Sequence, residues 1–219
     1  MQALERASAD LPLAPGHSRR RECNYIRHGT STLIAGLRVS NGQVYAHVGP
    51  TRTEADFANF VVSLIEGQAD KEKFVFILDQ LNTHKSETLV RLIARLNGDE
   101  PDLGVKGSTG ILESMPTRMA YLEGERGVGK HQVCRVRFVF TPKHCSWLNP
   151  VEGWFSGLHR RVLKTGSFSC LSELIDRVIS YANYYNKHLA KGIKWGKSTK
   201  KQIRKLIKRT KRLATILTG

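Results

Sequence analysis

Phe74-Val75-Phe76-Ile77-Leu78-Asp79 is the stretch on which the reading of this chain turns. Five consecutive apolar residues leave no polar face, which suits a strand covered on both sides, as in a parallel sheet flanked by helices. Asp79 follows directly, then Asn82 and His84. Ser86 is placed as the N-cap of a helix that carries Leu89, Val90, Ile93 and Leu96 on one face. A carboxylate at the carboxyl end of a buried parallel strand sits where open α/β sheets place their ligands. Asp is also a common turn former, so on this stretch alone Asp79 reads equally well as the start of a turn.

A second carboxylate stands in TPKHCSWLNPVEGWF, residues 141–155. Asn149 suits an N-cap, Pro150 falls at the first helical position and Glu152 at the third, the spacing of a capping box. Val151, Trp154, Phe155, Leu158 and Val162 then form an apolar stripe at helical spacing. Glu152 lies at the edge of that stripe, with His159 two turns along the same side. A helix start fixes a carboxylate firmly, so Glu152 reads as a cap or as a metal ligand. Two carboxylates held at the ends of buried elements suit a divalent-metal phosphoryl-transfer site.

Taken together, ILDQLNTHKS (residues 77–86) and TPKHCSWLNPVEGWFS (residues 141–156) resemble the catalytic core of DDE-type insertion-sequence transposases related to the mariner group. The family pattern has an Asp at a strand end followed by an Asn-x-x-His or similar run. Later comes a Pro, then Leu-Asn-x-x-Glu opening a helix with an aromatic residue soon after. Pro142, Leu148, Asn149, Glu152, Trp154 and Phe155 match that second segment. QALER at residues 2–6, RHGTSTLIAGL at residues 27–37, and Tyr184, Tyr185 and Asn186 match further. The resemblance covers most of the chain from Met1 to about Trp195.

The resemblance implies a ribonuclease-H-like fold, a mixed α/β sheet flanked by helices, and cut-and-join chemistry on DNA. Three carboxylates would hold two Mg²⁺ ions about 4 Å apart, with Mn²⁺ able to substitute. Asp79 would be the second carboxylate and Glu152 the third, supported by Asn82, His84, Asn149 and Trp154. The first would lie on the opening strand, a few residues before QALER and so upstream of Met1. Asp10, in a Pro-rich stretch, receives no role. Residues 31–39 and 43–48 would be the second and third strands, a hairpin turned at Asn41-Gly42. Residues 53–66 would be the first helix, 74–79 the fourth strand and 135–140 the fifth. The first strand of such a sheet is central. Its absence would leave two inner edges partly unpaired, which is costly. The expectation is therefore a transposase catalytic region that is truncated and incomplete. The alternative is a non-catalytic remnant that binds nucleic acid.

Composition bears on partners. The 219 residues carry a net charge of +16, concentrated at one end. From Arg177 onward there are 13 Lys or Arg and no Asp or Glu, leaving 22 basic against 19 acidic residues before it. Such a tail attracts nucleic acid, with binding that weakens steeply with salt. Lys194, Lys197, Lys200, Lys201, Arg204, Lys205, Lys208 and Arg209 are the candidate DNA contacts, and residues 199–217 have the pattern of a basic amphipathic helix. A helix lying on an acidic membrane and a solvated tail fit the same pattern. The family's Pro-Phe-x-Trp run is replaced here by Gly192-Ile193-Lys194-Trp195. The resemblance is also compatible with a homodimer.

No run is long enough to span a membrane, and no signal-peptide pattern is present. Cys23, Cys134, Cys145 and Cys170 are scattered, which points to free thiols in a reducing cytoplasm. Residues 1–195 read as the core, residues 196–219 as the tail, and residues about 97–130 as a Gly-rich surface insertion. Within the insertion, Gly124, Gly129 and Lys130 have phosphate-loop spacing, but His131 stands where Ser or Thr should bind Mg²⁺. His131, Cys134, His144 and Cys145 match no usual zinc spacing. The helix-turn-helix modules that precede the core in the family are not found in these residues, so DNA contact is expected to be backbone-directed.

Overall fold

A computed structural model of the chain describes residues 1–8, 24–69, 72–98, 102–124, 135–143, 145 and 148–193. In chain order the elements are β1 (Gln2–Arg6), β2 (Tyr25–Thr30), β3 (Thr32–Leu37), β4 (Val44–Gly49), α1 (Glu54–Ile65), β5 (Phe74–Leu78), α2 (Glu87–Leu96), α3 (Met115–Leu122), β6 (Val136–Phe140), α4 (Val151–Leu158) and α5 (Leu171–His188). A 3₁₀ turn, Asn82–Lys85, joins β5 to α2, and a π-helical turn, His159–Leu163, extends α4.

The strands pair two by two. β1 is antiparallel to β2 and β3 is antiparallel to β4, while β5 and β6 run parallel with Phe76 opposite Phe138. The apolar run at residues 74–78 thus lies in a parallel pair, as its composition requires. RHGTSTLIAGL is divided between β2 and β3, with Ser31 at the junction. There Met1 and Ser31 exchange backbone hydrogen bonds, so Met1 continues the register of β1.

The helices start where capping chemistry places them. Thr53 accepts a bond from the Asp56 N–H at 3.2 Å while the Asp56 carboxylate accepts the Thr53 N–H at 2.6 Å, closing a capping box on α1. Ser86, buried, caps α2 by accepting the Leu89 N–H at 3.2 Å. The apolar faces divide into two cores. One packs α1, α2 and α3 on β5 and β6, with Phe57, Val61, Leu89, Ile93 and Phe138 buried. The other packs α4 and α5 on β1, β3 and β4 around Trp154, Leu158, Leu174 and Val178. β3 serves both, since Ile34 packs against the first core and Leu33, Ala35 and Leu37 against the second.

Two asparagines close outer strand edges. Asn186 of α5 accepts the Val44 N–H and donates to the Val44 carbonyl, both at 2.7 Å. Asn97, after α2, does the same for Val136 of β6, at 2.9 and 3.1 Å. A carboxamide offers a donor and an acceptor side by side, so it replaces one residue of a missing strand.

Three expectations need correction. The hairpin between β3 and β4 turns through Asn41-Gly42, but its strands are Thr32–Leu37 and Val44–Gly49 rather than residues 31–39 and 43–48. It closes outside an Arg38–Gln43 bond with a four-residue loop, residues 39–42, in which Gly42 adopts φ +76°. A Cβ at Gly42 would lie 2.2 Å from the Lys191 carbonyl oxygen, so both backbone and packing demand glycine there. Residues 97–130 are not merely a surface excursion. Leu112, Tyr121 and Leu122 are buried in the first core, and α3 is held by its own Ser114–Thr117 capping box. The Asn149–Glu152 capping box does not form: the Asn149 side chain accepts the Val151 N–H at 3.4 Å rather than that of Glu152, and α4 begins at Val151.

Replacing Asn186 by Leu strands both backbone groups of Val44 and should cost about 1–3 kcal/mol in urea unfolding. A loss indistinguishable from that of an exposed α5 substitution would show that the amide bonds contribute nothing. Hydrogen bonds from Thr51 and then Thr53 hold the Asp56 carboxyl below its ordinary range. A depressed carboxyl stabilises the fold above its unfolded pKa of about 3.9 and loses that contribution as pH falls through the folded value. Asp56→Asn should therefore be less stable at pH 7 and lose less stability than the parent on acidification below about pH 4.

Candidate active site

β5 delivers Asp79 to the end of the parallel pair, and the chain turns there into the 3₁₀ segment. The Asp79 Oδ1 accepts the Leu81 N–H at 3.1 Å, so the turn-forming role is real. The same oxygen lies 2.8 Å from Nδ1 of His84, off the line of the ring N–H, so that contact is chiefly electrostatic. Both contacts fall on Oδ1, and Oδ2 keeps its lone pairs. His84 is packed at 4.3 Å between ring centroids against Phe57 of α1. Burial, partly opposed by Asp79, holds the imidazole below its ordinary range. The ring is therefore neutral at pH 7 and does not compete as a cation for the carboxylate.

Behind Asp79, Lys85 is buried, with its ammonium bonded to the Gln80 Oε1 and 5.4 Å from the centre of the Phe140 ring. Gln80 in turn donates to the Thr141 carbonyl at 2.6 Å. These bonds tie the end of β5 to the end of β6, where the segment leading to Glu152 begins. Burial first, and then Lys143, lowers the Lys85 pKa. Sequence reasoning missed both residues. The only signal was a Gln directly after the strand-end Asp and a Lys beside His84.

Glu152 is the second residue of α4. It is exposed, and its carboxylate makes no hydrogen bond or ion pair among the described residues. Asn149 instead accepts the Val151 N–H on its side chain at 3.4 Å and the Glu152 N–H on its carbonyl at 3.1 Å. The direction of α4 is set by Trp154, which is 2 % exposed and packs against Phe155 and, across to α5, Tyr181 at 5.4 and 6.0 Å. Close approach of the two helices requires Gly157, where a Cβ would stand 2.7 Å from the Tyr181 hydroxyl.

Asp79, His84, Asn149 and Glu152 line one open cleft of about 1110 Å³ between β3 and β5. Trp154 supports it from behind. Asn82 is exposed and does not line it. Carboxylate oxygens are donors that fit a hard cation such as Mg²⁺. In number they fall short, since no group of three or more His, Cys, Asp or Glu able to hold a metal occurs among the described residues. Lys194, Lys197, Lys200, Lys201, Arg204, Lys205, Lys208 and Arg209 lie outside the described residues, as do Asp10, Gly129, Lys130, His131, Cys134 and His144. No described helix is long and apolar enough to cross a membrane.

The family model for the DDE superfamily endonucleases matches residues 4–175. No curated protein and no solved structure matches the chain. Trp154→Ala should destabilise the fold by about 3–5 kcal/mol, the range for emptying a buried Trp site. A loss below about 1 kcal/mol would show that α4 is positioned without it.

Proposed function

The chain belongs to the DDE superfamily of endonucleases, and from that premise we propose that it is the catalytic region of a transposase, cutting and joining DNA strands by metal-dependent phosphoryl transfer. The observation that carries this reading is that Asp79 and Glu152, from segments more than seventy positions apart, line the same cleft with carboxylate oxygens uncommitted to the protein. Oδ2 of Asp79 and the Glu152 carboxylate would hold Mg²⁺ or Mn²⁺. Bound there, such ions supply Lewis-acid activation of the attacking and leaving oxygens. The protein's own work is positional. The Leu81 N–H and His84 steady Asp79, the Lys85–Gln80–Thr141 bonds fix the end of β5 to that of β6, and Trp154 aims α4.

The family's chemistry calls for three carboxylates, and no other described Asp or Glu gathers with Asp79 and Glu152 into a metal-holding group. The basic residues from Lys194 to Arg209 would contact DNA phosphates, with affinity that falls as salt rises. A second reading, a non-catalytic remnant that binds nucleic acid through this tail, rests on the same shortage of a third carboxylate.

The test is nicking of supercoiled plasmid in Mg²⁺ or Mn²⁺ by the chain carrying an upstream segment that ends in Asp. Asp79→Asn and Glu152→Gln should each reduce cleavage by about 100-fold or more, with gel-shift affinity for DNA within about twofold of the parent. Normal cleavage by both variants would refute the site assignment. Salt-sensitive DNA binding without nicking by the extended parent would establish the remnant reading instead.

A further inference from the structure

From Glu152 onward, α4 and the π-helical turn His159–Leu163 present one exposed face that the carboxylate cleft does not use. At about 100° per residue, Glu152, Ser156 and His159 fall along one line, with Gly153 and Arg160 beside it. All of these are exposed, while Trp154 and Leu158 turn to the core. In the π-helical turn the Lys164 N–H bonds to the His159 carbonyl at 2.7 Å, five residues back instead of four. Spreading a turn over an extra residue reduces the rotation per residue. Arg160, and Lys164 after it, swing back towards the line of Glu152, while Val162 and Leu163 still pack on the second core.

This face becomes basic as it leaves Glu152. Arg160 and Arg161 are both exposed, and neither has an ion pair among the described residues. The Arg160 Nε donates to the Ser156 carbonyl at 3.3 Å, which holds the side chain along the helix. Arg6 of β1 is laid against the same turn, its Nη2 donating to the Lys164 carbonyl at 3.3 Å and its backbone N–H to the Ser167 Oγ at 2.9 Å. Glu173, on the neighbouring α5, is already engaged by Ser169 and Arg177. Positive charge from two distant segments thus gathers at one turn.

Between this turn and Glu152 the surface is low. Gly157 is accounted for by Tyr181, whose hydroxyl would stand 2.7 Å from a Cβ there. Gly153 is not, because a Cβ at that position would meet nothing within 4 Å. Glycine is the poorest helix former after proline, and nothing inside the protein requires it at this place in α4. A chain that crosses α4 closely from outside does require it. A chain of phosphates also suits the unpaired arginines, since a guanidinium binds phosphate oxygens two at a time.

We propose that the exposed face of α4 is the track along which a DNA strand leaves the cleft, its backbone crossing Gly153 and its phosphates held by Arg160 and Arg161. From Glu152 to Arg160 is about 12 Å at 1.5 Å per residue, the length of about three nucleotides at roughly 3.4 Å each. Both arginines bind substrate away from the reacting atoms. For its substrate the track rests on the nuclease reading, and it is separate from the basic residues beyond Lys194.

Fluorescence anisotropy of a labelled duplex across a KCl series tests it on the 219-residue chain. The slope of log affinity on log salt should fall by about 0.9 for each arginine removed, so Arg160→Gln with Arg161→Gln should lose about 1.8 and bind at least about tenfold more weakly at about 0.1 M KCl. Lysine at both positions should restore the slope. Arg91→Gln, at the exposed pair with Glu87 on α2, should change neither slope nor affinity. Gly153→Ala should raise Tm, and Gly153→Leu should weaken binding at least about fivefold without lowering Tm. Parental slope and affinity in the double arginine variant, parental binding by Gly153→Leu, or no salt-dependent binding by the parent would overturn the proposal. If the double variant binds like the parent while Asp79→Asn abolishes nicking, the track fails and the nuclease reading stands. If the arginine effects appear and no nicking does, the binding surface stands and the nuclease reading fails.

Discussion

A backbone N–H or carbonyl withdrawn from water without a partner costs about 1–3 kcal/mol, and this chain meets that cost differently on the two sides of its strand pairs. On the outer sides, Asn186 and Asn97 each supply a carboxamide to one strand residue. On the inner sides, Leu33, Ala35, Leu37, Val75 and Ile77 look onto an open cleft. The placement of the helices follows from this asymmetry. α5 and the end of α2 lie over outer edges, where their asparagines bond, and the carboxylate-bearing ends of β5 and α4 are left around the inner gap.

Electrostatics in the cleft are arranged around Asp79 by burial as much as by charge. His84 is kept neutral by its packing on Phe57, and the ammonium of Lys85 is drawn back against Phe140 and Gln80. The Lys85 charge is thus engaged inside the protein, on the Gln80 side chain that joins two strand ends. Glu152, by contrast, owes its position to backbone alone, since Asn149 bonds the first turn of α4 without using the glutamate side chain. One carboxylate is fixed by its own contacts and the other by the helix that carries it.

Much of this was legible in the residues. The uninterrupted apolar run at Phe74–Leu78 specifies a strand in a parallel pair, and Ser86 announces α2. Asp79 and Glu152 were visible because strand ends and helix starts are where side chains can be held yet remain reachable. Other features could not be read locally. The burial of Leu112, Tyr121 and Leu122 goes with α3 packing against α2, a tertiary matter that a Gly-rich neighbourhood conceals. The bidentate asparagines look like ordinary polar residues until strand edges are brought beside them. Asn149 and Glu152 had the spacing of a capping box, but the Asn149 side chain bonds the Val151 N–H instead of that of Glu152.

The asparagine clasps also bear on how copies of this chain meet one another. A strand edge is a template for any other extended chain, and natural sheets blunt it to stay monomeric in crowded solution. Here the outer edges are blunted by side-chain amides that leave when α5 or the end of α2 frays, so local melting of a helix would uncover a sticky strand some distance away. The two outer edges are therefore guarded by helix ends far along the chain, Asn97 standing 39 positions from Val136 and Asn186 142 positions from Val44.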